Sequence, residues 1–316
     1  MAYMYGSGNR NWTKRPGSYT EMRNHIYNLD TVTGSIYDGR ADLGVGDDEI
    51  DMYTNNSTIN MGSGDDIVNL RSGSTTSNIY GGSGEDTIVV NGTHNYISGG
   101  SDNDDITLLY NNNTAHGDGG NDTITVEGDH NHAYGDDGND IINAAGDYNK
   151  VYGGADNDTL TGAGIGNDFY GGSGDNTLTI SGTYNDLYGG SGNDTMTITG
   201  EHSWAIGSYG DDTVTMTGNR NVAYGEGDND TMTSVGDYNY LNGNDGTDHI
   251  ASAGNSSTLW GGAGNDILVA VGDSNRLGGQ SGDDILVAGG AGALALAQVD
   301  EDFAQTGSVR NSVSFH

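Results

Sequence analysis

Aspartate returns every eighteen residues through most of this 316-residue chain. The column runs Asp86, Asp104, Asp122, Asp140, Asp158, then Asn176, then Asp194, Asp212, Asp230, Asp248, Asp266 and Asp284. Asp66 and Asp48 extend it toward the N-terminus after a two-residue insertion near Ser72–Ser77. Each member closes a glycine-rich run such as Gly-Gly-Ser-Gly-Asn-Asp at 189–194 or Gly-Gly-Ala-Gly-Asn-Asp at 261–266. A fixed period this short marks a solenoid with one repeat per coil. At a coil spacing of ~4.8 Å two carboxylates repel by roughly 0.9 kcal/mol even in bulk water. A column of them calls for a cation between its members. Oxygen ligands from Asp and from Gly-turn carbonyls suit Ca2+, a hard ion that takes only oxygen. No His or Cys recurs at these positions, which argues against zinc, and the EF-hand loop is absent.

The residues around each Asp say what positions it. Five before it is Gly in every unit from Gly81 to Gly279, and two after it is apolar, from Ile88 to Leu286. Six after it is Gly in most units (Gly128, Gly146, Gly164, Gly182), nine after it is usually Asn, and eleven after it is often apolar again, as at Ile97, Val151, Phe169, Leu187, Leu241 and Leu259. This reads as two short strands and two turns per coil. Alternation turns the second and fourth residues after Asp inward and the first and third outward. Gly-Gly-x-Gly makes one turn and Gly-x-x-Asn the other, with inward Asn side chains that can ladder between coils. The expected fold is all-β: a single-stranded-coil solenoid, a parallel β-roll with 18-residue coils. A helical period is absent. Asp30-Thr-Val-Thr reads as a degenerate first strand, giving about 14–15 coils by this spacing.

Composition narrows the function. The formal charge is -35, hydrophobic residues are 33%, Gly numbers 56 and Pro one. Such values by themselves suit a disordered chain, so the strict period implies a narrow core completed by another agent. The acidity excludes general nucleic-acid binding, since phosphates would be repelled. No Cys is present, so disulfides and thiolate chemistry are excluded. No apolar run is long enough for a transmembrane helix, so no membrane insertion is expected. The N-terminal residues hold no apolar signal core, so the chain is expected to stay inside or to leave by a route without an N-terminal signal.

The first half of each unit resembles the RTX nonapeptide, Gly-Gly-x-Gly-x-Asp-x-apolar-x. Gly81–Val89, Gly189–Thr197 and Gly261–Val269 match it well, and the resemblance covers roughly residues 40–290. It implies a parallel β-roll that holds Ca2+ between adjacent Gly-rich turns, and export by a type I system with an uncleaved C-terminal signal. The metal residues implied are Asp48, Asp66, Asp86, Asp104, Asp122, Asp140, Asp158, Asp194, Asp212, Asp230, Asp248, Asp266 and Asp284. The second half of the unit, Gly-x-x-Asn, lacks the motif, so one row of calcium is expected and not two. Asn176 is uncharged and implies a weaker site. Asp102, Asp156 and Asp228 replace the fourth-position Gly, where they add a ligand or simply fit the turn.

Two outward stripes stand out. Paired threonines occupy one strand face: Thr123/Thr125, Thr159/Thr161, Thr177/Thr179, Thr195/Thr197, Thr213/Thr215 and Thr231/Thr233. This Thr-x-Thr array is similar to the ice-binding face of insect antifreeze solenoids, although Thr is also a good exposed strand residue. Asp105, Ile141/Asn143 and His249/Ala251 break it. Just before the Gly turn runs an aromatic column: Tyr80, Tyr134, Tyr152, Tyr170, Tyr188, Tyr224 and Trp260. It stiffens a solenoid, or meets a sugar or a neighbouring subunit. The His residues are scattered and read as surface groups.

Three segments follow. Residues 1–40 hold five of the ten basic residues against three acidic ones, net +2, and read as a basic cap, assembly or anchoring segment. Residues 41–290 are the β-roll. Residues 291–316 break the period and read as a cap or secretion signal. The chain lacks a His-Glu-x-x-His motif and a Gly-x-Ser-x-Gly elbow, so no enzyme is expected. The expected function is a secreted calcium-binding structural protein that folds on Ca2+ and self-assembles into a surface layer, filament or matrix. Its other partner would be cell-surface polysaccharide. Ice binding through the Thr array is the alternative, and an enzyme accessory module is a third reading.

Overall fold

The computed structural model describes residues 31–297, with the side chains of 32–296, and the backbone of Ala2–Met4, Arg10–Thr13, Thr20–Arg23, Phe303–Gly307 and Ser312–Phe315. All described regular elements are strands, and every strand pairing described is parallel. The fold is an all-β parallel solenoid of about 15 coils of ~18 residues. The chain forms two compact units, Met1–Leu160 and Thr161–His316.

In the first unit, the strands that follow the Asp column stack as one sheet. Thr87–Thr93 pairs with Asp105–Leu108, which pairs with Thr123–Val126 and then Ile141–Ala145. The strands that enter the Gly turns stack as a second sheet, Tyr96–Ser101 on Thr114–Gly119 on His132–Asp137. Register is set residue for residue at a separation of eighteen, as in Ile88 with Ile106. The insertion appears as a register shift where Ile67–Thr75 meets its neighbours. Inside, Ile88, Val90 and Ile97 are fully buried, as are Ile106, Leu108 and Ala115 in the next coil. Alternation along each strand produces this pattern, since only every second residue can face in.

The second unit repeats the plan. Thr177–Thr183, Thr195–Glu201, Thr213–Thr217, Thr231–Val235 and His249–Ala253 stack in one sheet. Asp186–Ser191, Trp204–Tyr209, Val222–Gly227 and Tyr240–Asp245 stack in the other. Leu178, Ile180 and Leu187 fill the core of one coil.

The inward Asn column is in place. Asn95 donates its amide N–H to Asn113 Oδ1 at 2.9 Å, and Asn113 to Asn131 Oδ1 at 2.8 Å. The residue before each Asn takes positive φ, even where it is bulky: His130 (57°), Tyr148 (57°), Tyr184 (58°), Arg220 (57°) and Tyr238 (60°). The sequence pattern did not single out those positions, because no Gly marks them.

Strand pairing passes both expected segment boundaries. Thr31–Tyr37 pairs with Glu49–Asn55, and Leu294–Ala297 pairs with Arg276–Ser281. Asp30, Lys14, Arg15 and the tail positions 298–302 and 308–311, on which cap and signal roles were placed, lie outside the described residues.

A candidate calcium row in the glycine-rich turns

Every turn of the type Gly189-Gly-Ser-Gly-Asn-Asp194 leaves one strand and returns into the other through positive backbone angles, +117° at Gly190 and +115° at Gly192. The terminal Asp points inward and is buried: Asp194, Asp230 and Asp248 are at most 1% exposed, and the rest of the column from Asp48 to Asp284 is buried likewise. One carboxylate oxygen is used. The Asp86 amide donates to Asp104 Oδ1 at 2.8 Å, Asp104 to Asp122 at 2.7 Å, and Asp122 to Asp140 at 2.7 Å. In the second unit Asn176 donates to Asp194 (2.8 Å), Asp194 to Asp212 (2.7 Å), Asp212 to Asp230 (2.9 Å) and Asp230 to Asp248 (2.8 Å).

The other oxygen is not used by protein. Oδ2 of Asp66, Asp86, Asp104, Asp122, Asp140, Asp194, Asp212, Asp230, Asp248 and Asp266 is buried without a hydrogen-bond partner. A buried unpartnered carboxylate oxygen is costly. The Asn column shows the contrast. An Asn in the same kind of ladder has N–H groups to give: Asn221 donates its side-chain amide to the Gly200 carbonyl at 2.8 Å, while Asn131 Nδ2 is buried without a partner. A carboxylate has no donor, so its second oxygen needs a donor, a proton or a cation from elsewhere, and a cation also offsets the charge of the column.

Burial registers in the acidity. It pushes Asp104 and Asp230 up to about 8, Asp66, Asp158 and Asp212 to about 7, and Asp86, Asp122, Asp140, Asp194 and Asp266 to about 6. Asp248 is raised for the same cause. Neighbouring carboxylates add to it, Asp86 and Asp122 in the case of Asp104, while the amide hydrogen bond opposes it.

The donor set fits a hard cation. The glycine five before each Asp is the place where oxygens converge. A Cβ on Gly189 would collide with Asp194 Oδ2 and lie 2.8 Å from the Gly207 carbonyl oxygen of the next coil. On Gly135 it would collide with Asp140 Oδ2 and lie 2.6 Å from the Gly153 carbonyl oxygen. A carboxylate oxygen and a carbonyl oxygen from successive coils thus both pack against the glycine, where no side chain would fit. Only oxygen is offered, as Ca2+ requires.

The family described as RTX calcium-binding nonapeptide repeat (four copies) matches residues 78–108, 110–142, 134–169, 150–178, 242–277 and 260–292. RTX calcium-binding nonapeptide repeats thus recur within this parallel β-solenoid. A crystal structure described as a hyperactive, Ca2+-dependent, beta-helical antifreeze protein from an Antarctic bacterium is similar in fold, with 18% identity, a TM-score of 0.57, and cover of 89% of this chain and 84% of that one. No curated protein matches the chain. The solenoid is a β-helical protein that carries calcium-binding repeats.

The turns hold a second ladder beside the Asp column. The residue before each Asp is Asn or Asp in most coils, and its Oδ1 accepts from the following coil: Asn121 N–H to Asn103 (2.6 Å), Asn139 to Asn121 (2.8 Å), Asp211 to Asn193 (2.9 Å) and Asn229 to Asp211 (2.8 Å). The inner ladder runs the opposite way, from earlier amide to later carboxylate. The repeated Asx at that position was the available signal. Asp102 and Asp228 accept the Gly84 and Gly210 amides, both at 3.2 Å, from positive φ.

The outward stripes lie where alternation puts them. Thr177, Thr195, Thr213 and Thr231 are exposed and paired in register, and Thr179, Thr197, Thr215 and Thr233 form the parallel column. Thr123 and Thr125 are half-buried and flanked by Asp105/Thr107 and Ile141/Asn143. Thr159 is exposed and Thr161 half-buried. Tyr134 stacks on Tyr152, and Tyr170 on Tyr188, each at 4.7 Å. Tyr224 lacks a stacked column neighbour, because Ile206 and Asn242 flank it; it contacts Trp204 and Tyr240 at tilted angles. Arg276 sits over the Trp260 ring at 5.1 Å.

Proposed function

We propose that this RTX chain is a secreted, non-enzymatic structural protein. It leaves the cell unfolded by a type I route, folds outside when one row of Ca2+ enters the Gly-rich turns, and then self-assembles into a surface layer, filament or matrix. The observation that carries this is the file of buried Oδ2 atoms without hydrogen-bond partners. Calcium supplies the positive charge and the open coordination that these oxygens lack. The residues do the rest: glycines bring carbonyl oxygens of successive coils close to Oδ2, amides fix Oδ1, and Oδ2 is left for the cation. Because the binding energy is folding energy, low calcium keeps the chain extended and export-competent.

Self-association has support in the second unit. Beyond the threonines the same outward face turns apolar, with Ile267 beside Ile285 and Val269 beside Val287 in register, and Val271 63% exposed. A contiguous apolar face on so acidic a protein suits a second copy, with calcium screening the charge between them. Electron microscopy and sedimentation at rising protein concentration test it. Calcium-dependent polymers support assembly, and a monomer at every concentration contradicts it. Binding to cell-surface polysaccharide is a separate outcome of a glycan pull-down.

Ice binding is the second reading. It is favoured by four consecutive coils of in-register, outward Thr-x-Thr in the second unit, with Thr199 and Thr217 continuing two of those rows. The fold shared with a calcium-dependent antifreeze protein adds to that support. Thermal hysteresis in the calcium-loaded protein would establish it, and its absence would remove it.

A further inference from the structure

The first unit holds one group of side chains whose chemistry differs from the calcium row. In the sheet that enters the Gly turns, Thr114–Gly119 and His132–Asp137 are neighbours in register, with His116 opposite Tyr134 and Asp118 opposite Asp136. His116 Nδ1 lies 2.8 Å from Asp136 Oδ2. The potential ligand atoms of His116, Asp118 and Asp136 all lie within 4.8 Å of one another.

The surroundings hold these groups in place. The imidazole is stacked on Tyr134 at 4.4 Å and 4°, and Tyr96 tilts against it at 5.5 Å. Ser98 donates its hydroxyl to Asp118 Oδ2. Asp118 and Asp136 occupy a turn position with φ of 71° and 75°, where the neighbouring coils have Gly100 and Gly154. Two carboxylates one coil apart, with a ring nitrogen beside them, form a compact nitrogen–oxygen donor set.

The imidazole decides the ion class. Calcium takes oxygen ligands, whereas imidazole with carboxylates suits a divalent first-row transition cation or zinc. At metal–ligand distances of about 2.0–2.2 Å, two ligands on a tetrahedral ion are roughly 3.3–3.6 Å apart. His116 and Asp136 share a hydrogen bond at 2.8 Å, so an ion would displace the shared proton and open the pair by about half an ångström. Tyr stacking and the Ser98 hydrogen bond play the orienting part that outer groups play around metal ligands.

We infer that His116, Asp118 and Asp136 form a site for a zinc-class divalent cation, in the same turns as the calcium-row residues Asp122 and Asp140 but with ligands distinct from them, completed by water. The site is half-open: the side chains of His116 and Asp136 are 24% and 36% exposed, which leaves a path for the ion and room for solvent ligands.

The test uses the full chain, untagged and saturated with Ca2+. Zn2+ is titrated by calorimetry, and Co2+ serves as a spectroscopic probe. The expected result is a single Zn2+ equivalent that persists in excess Ca2+, with Co2+ ligand-field bands. His116→Gln and Asp136→Asn each weaken it by at least about tenfold. His94→Gln leaves it unchanged, as do the bound calcium and the β-sheet circular dichroism signal in every variant. If a substitution at His116 lowers the calcium content, Asp118→Asn is the second variant, since Asn tolerates the left-handed backbone. Zn2+ binding that is retained in both His116→Gln and Asp136→Asn overturns the site, as does Zn2+ that Ca2+ displaces completely. Calcium content is read in the same samples, so failure of this site is distinguishable from failure of the calcium row.

Discussion

Asp212 accepts the Asp194 amide on Oδ1 at 2.7 Å, one coil away, while its Oδ2 is buried with no hydrogen-bond partner. That division of labour within one carboxylate explains why this solenoid needs an ion. Oδ1 belongs to the backbone ladder and Oδ2 to whatever positive group completes the turn.

Substitution at Asp212 separates the two oxygens. Asp212→Ala leaves the Asp194 amide without its acceptor, and is expected to cost about 1–3 kcal/mol with or without calcium. Asp212→Asn keeps an acceptor for the ladder. It is expected to cost little in calcium-free buffer but to lower calcium affinity. Thermal melts of both variants, with and without calcium, check this.

Glycine is required where the oxygens converge. A Cβ at Gly207 would collide with Asp212 Oδ2 and lie 2.8 Å from the Gly225 carbonyl oxygen. Gly207→Ala is therefore expected to destabilise the calcium-loaded protein by roughly 1–3 kcal/mol through overpacking, and to weaken calcium binding. Ser191→Ala, at an exposed turn position, is the control and is expected to change neither.

Acid and calcium are expected to act in opposite senses on the calcium-free and calcium-loaded forms. In the ion-free fold the buried carboxyls titrate at about 6 to 8, above the ordinary value of 3.8. A raised folded-state pKa contributes stability that is full below the unfolded value and is lost as pH rises through the folded one. The calcium-free chain is thus expected to gain β-structure as pH falls from 8 toward 4. The calcium affinity of the loaded protein is expected to fall over the same range, because protons compete for Oδ2. Circular dichroism and calcium titration across that window check both signs.

Much of this was legible in the sequence, and for a physical reason. A parallel coil puts residue i beside residue i+18, so a column in the sequence is a column in space. Buried Ile88 and Val90 and exposed Thr195 stand where alternation placed them, while the burial of Asp104 appears only in the structure. The hidden parts are those where a side chain leaves its own column. His116 reaches Asp136, twenty residues on, and Ser98 reaches Asp118, also twenty on. The Asn103–Asn121 ladder was visible as composition, but its direction depends on rotamers. Tyr184 and Arg220 at positive φ carry no local mark, because the coil geometry imposes that conformation on whatever residue precedes the inward Asn or Ser.

The threonine face separates surface function from folding. Thr195 and Thr213 are exposed, so replacing them with Leu is expected to shift stability by no more than about 0.5 kcal/mol. Thermal hysteresis that is lost in this double variant, with calcium binding intact, assigns ice to this face. Polymerisation lost instead assigns assembly to it.

The most direct measurement is a crystal structure grown with calcium, with anomalous difference density computed from the metal. The account expects peaks in the Gly-rich turns beside Oδ2 of Asp194, Asp212 and Asp230, with carbonyl oxygens of adjacent coils completing the shell. Well-ordered turns with no peak beside those three carboxylates would contradict it.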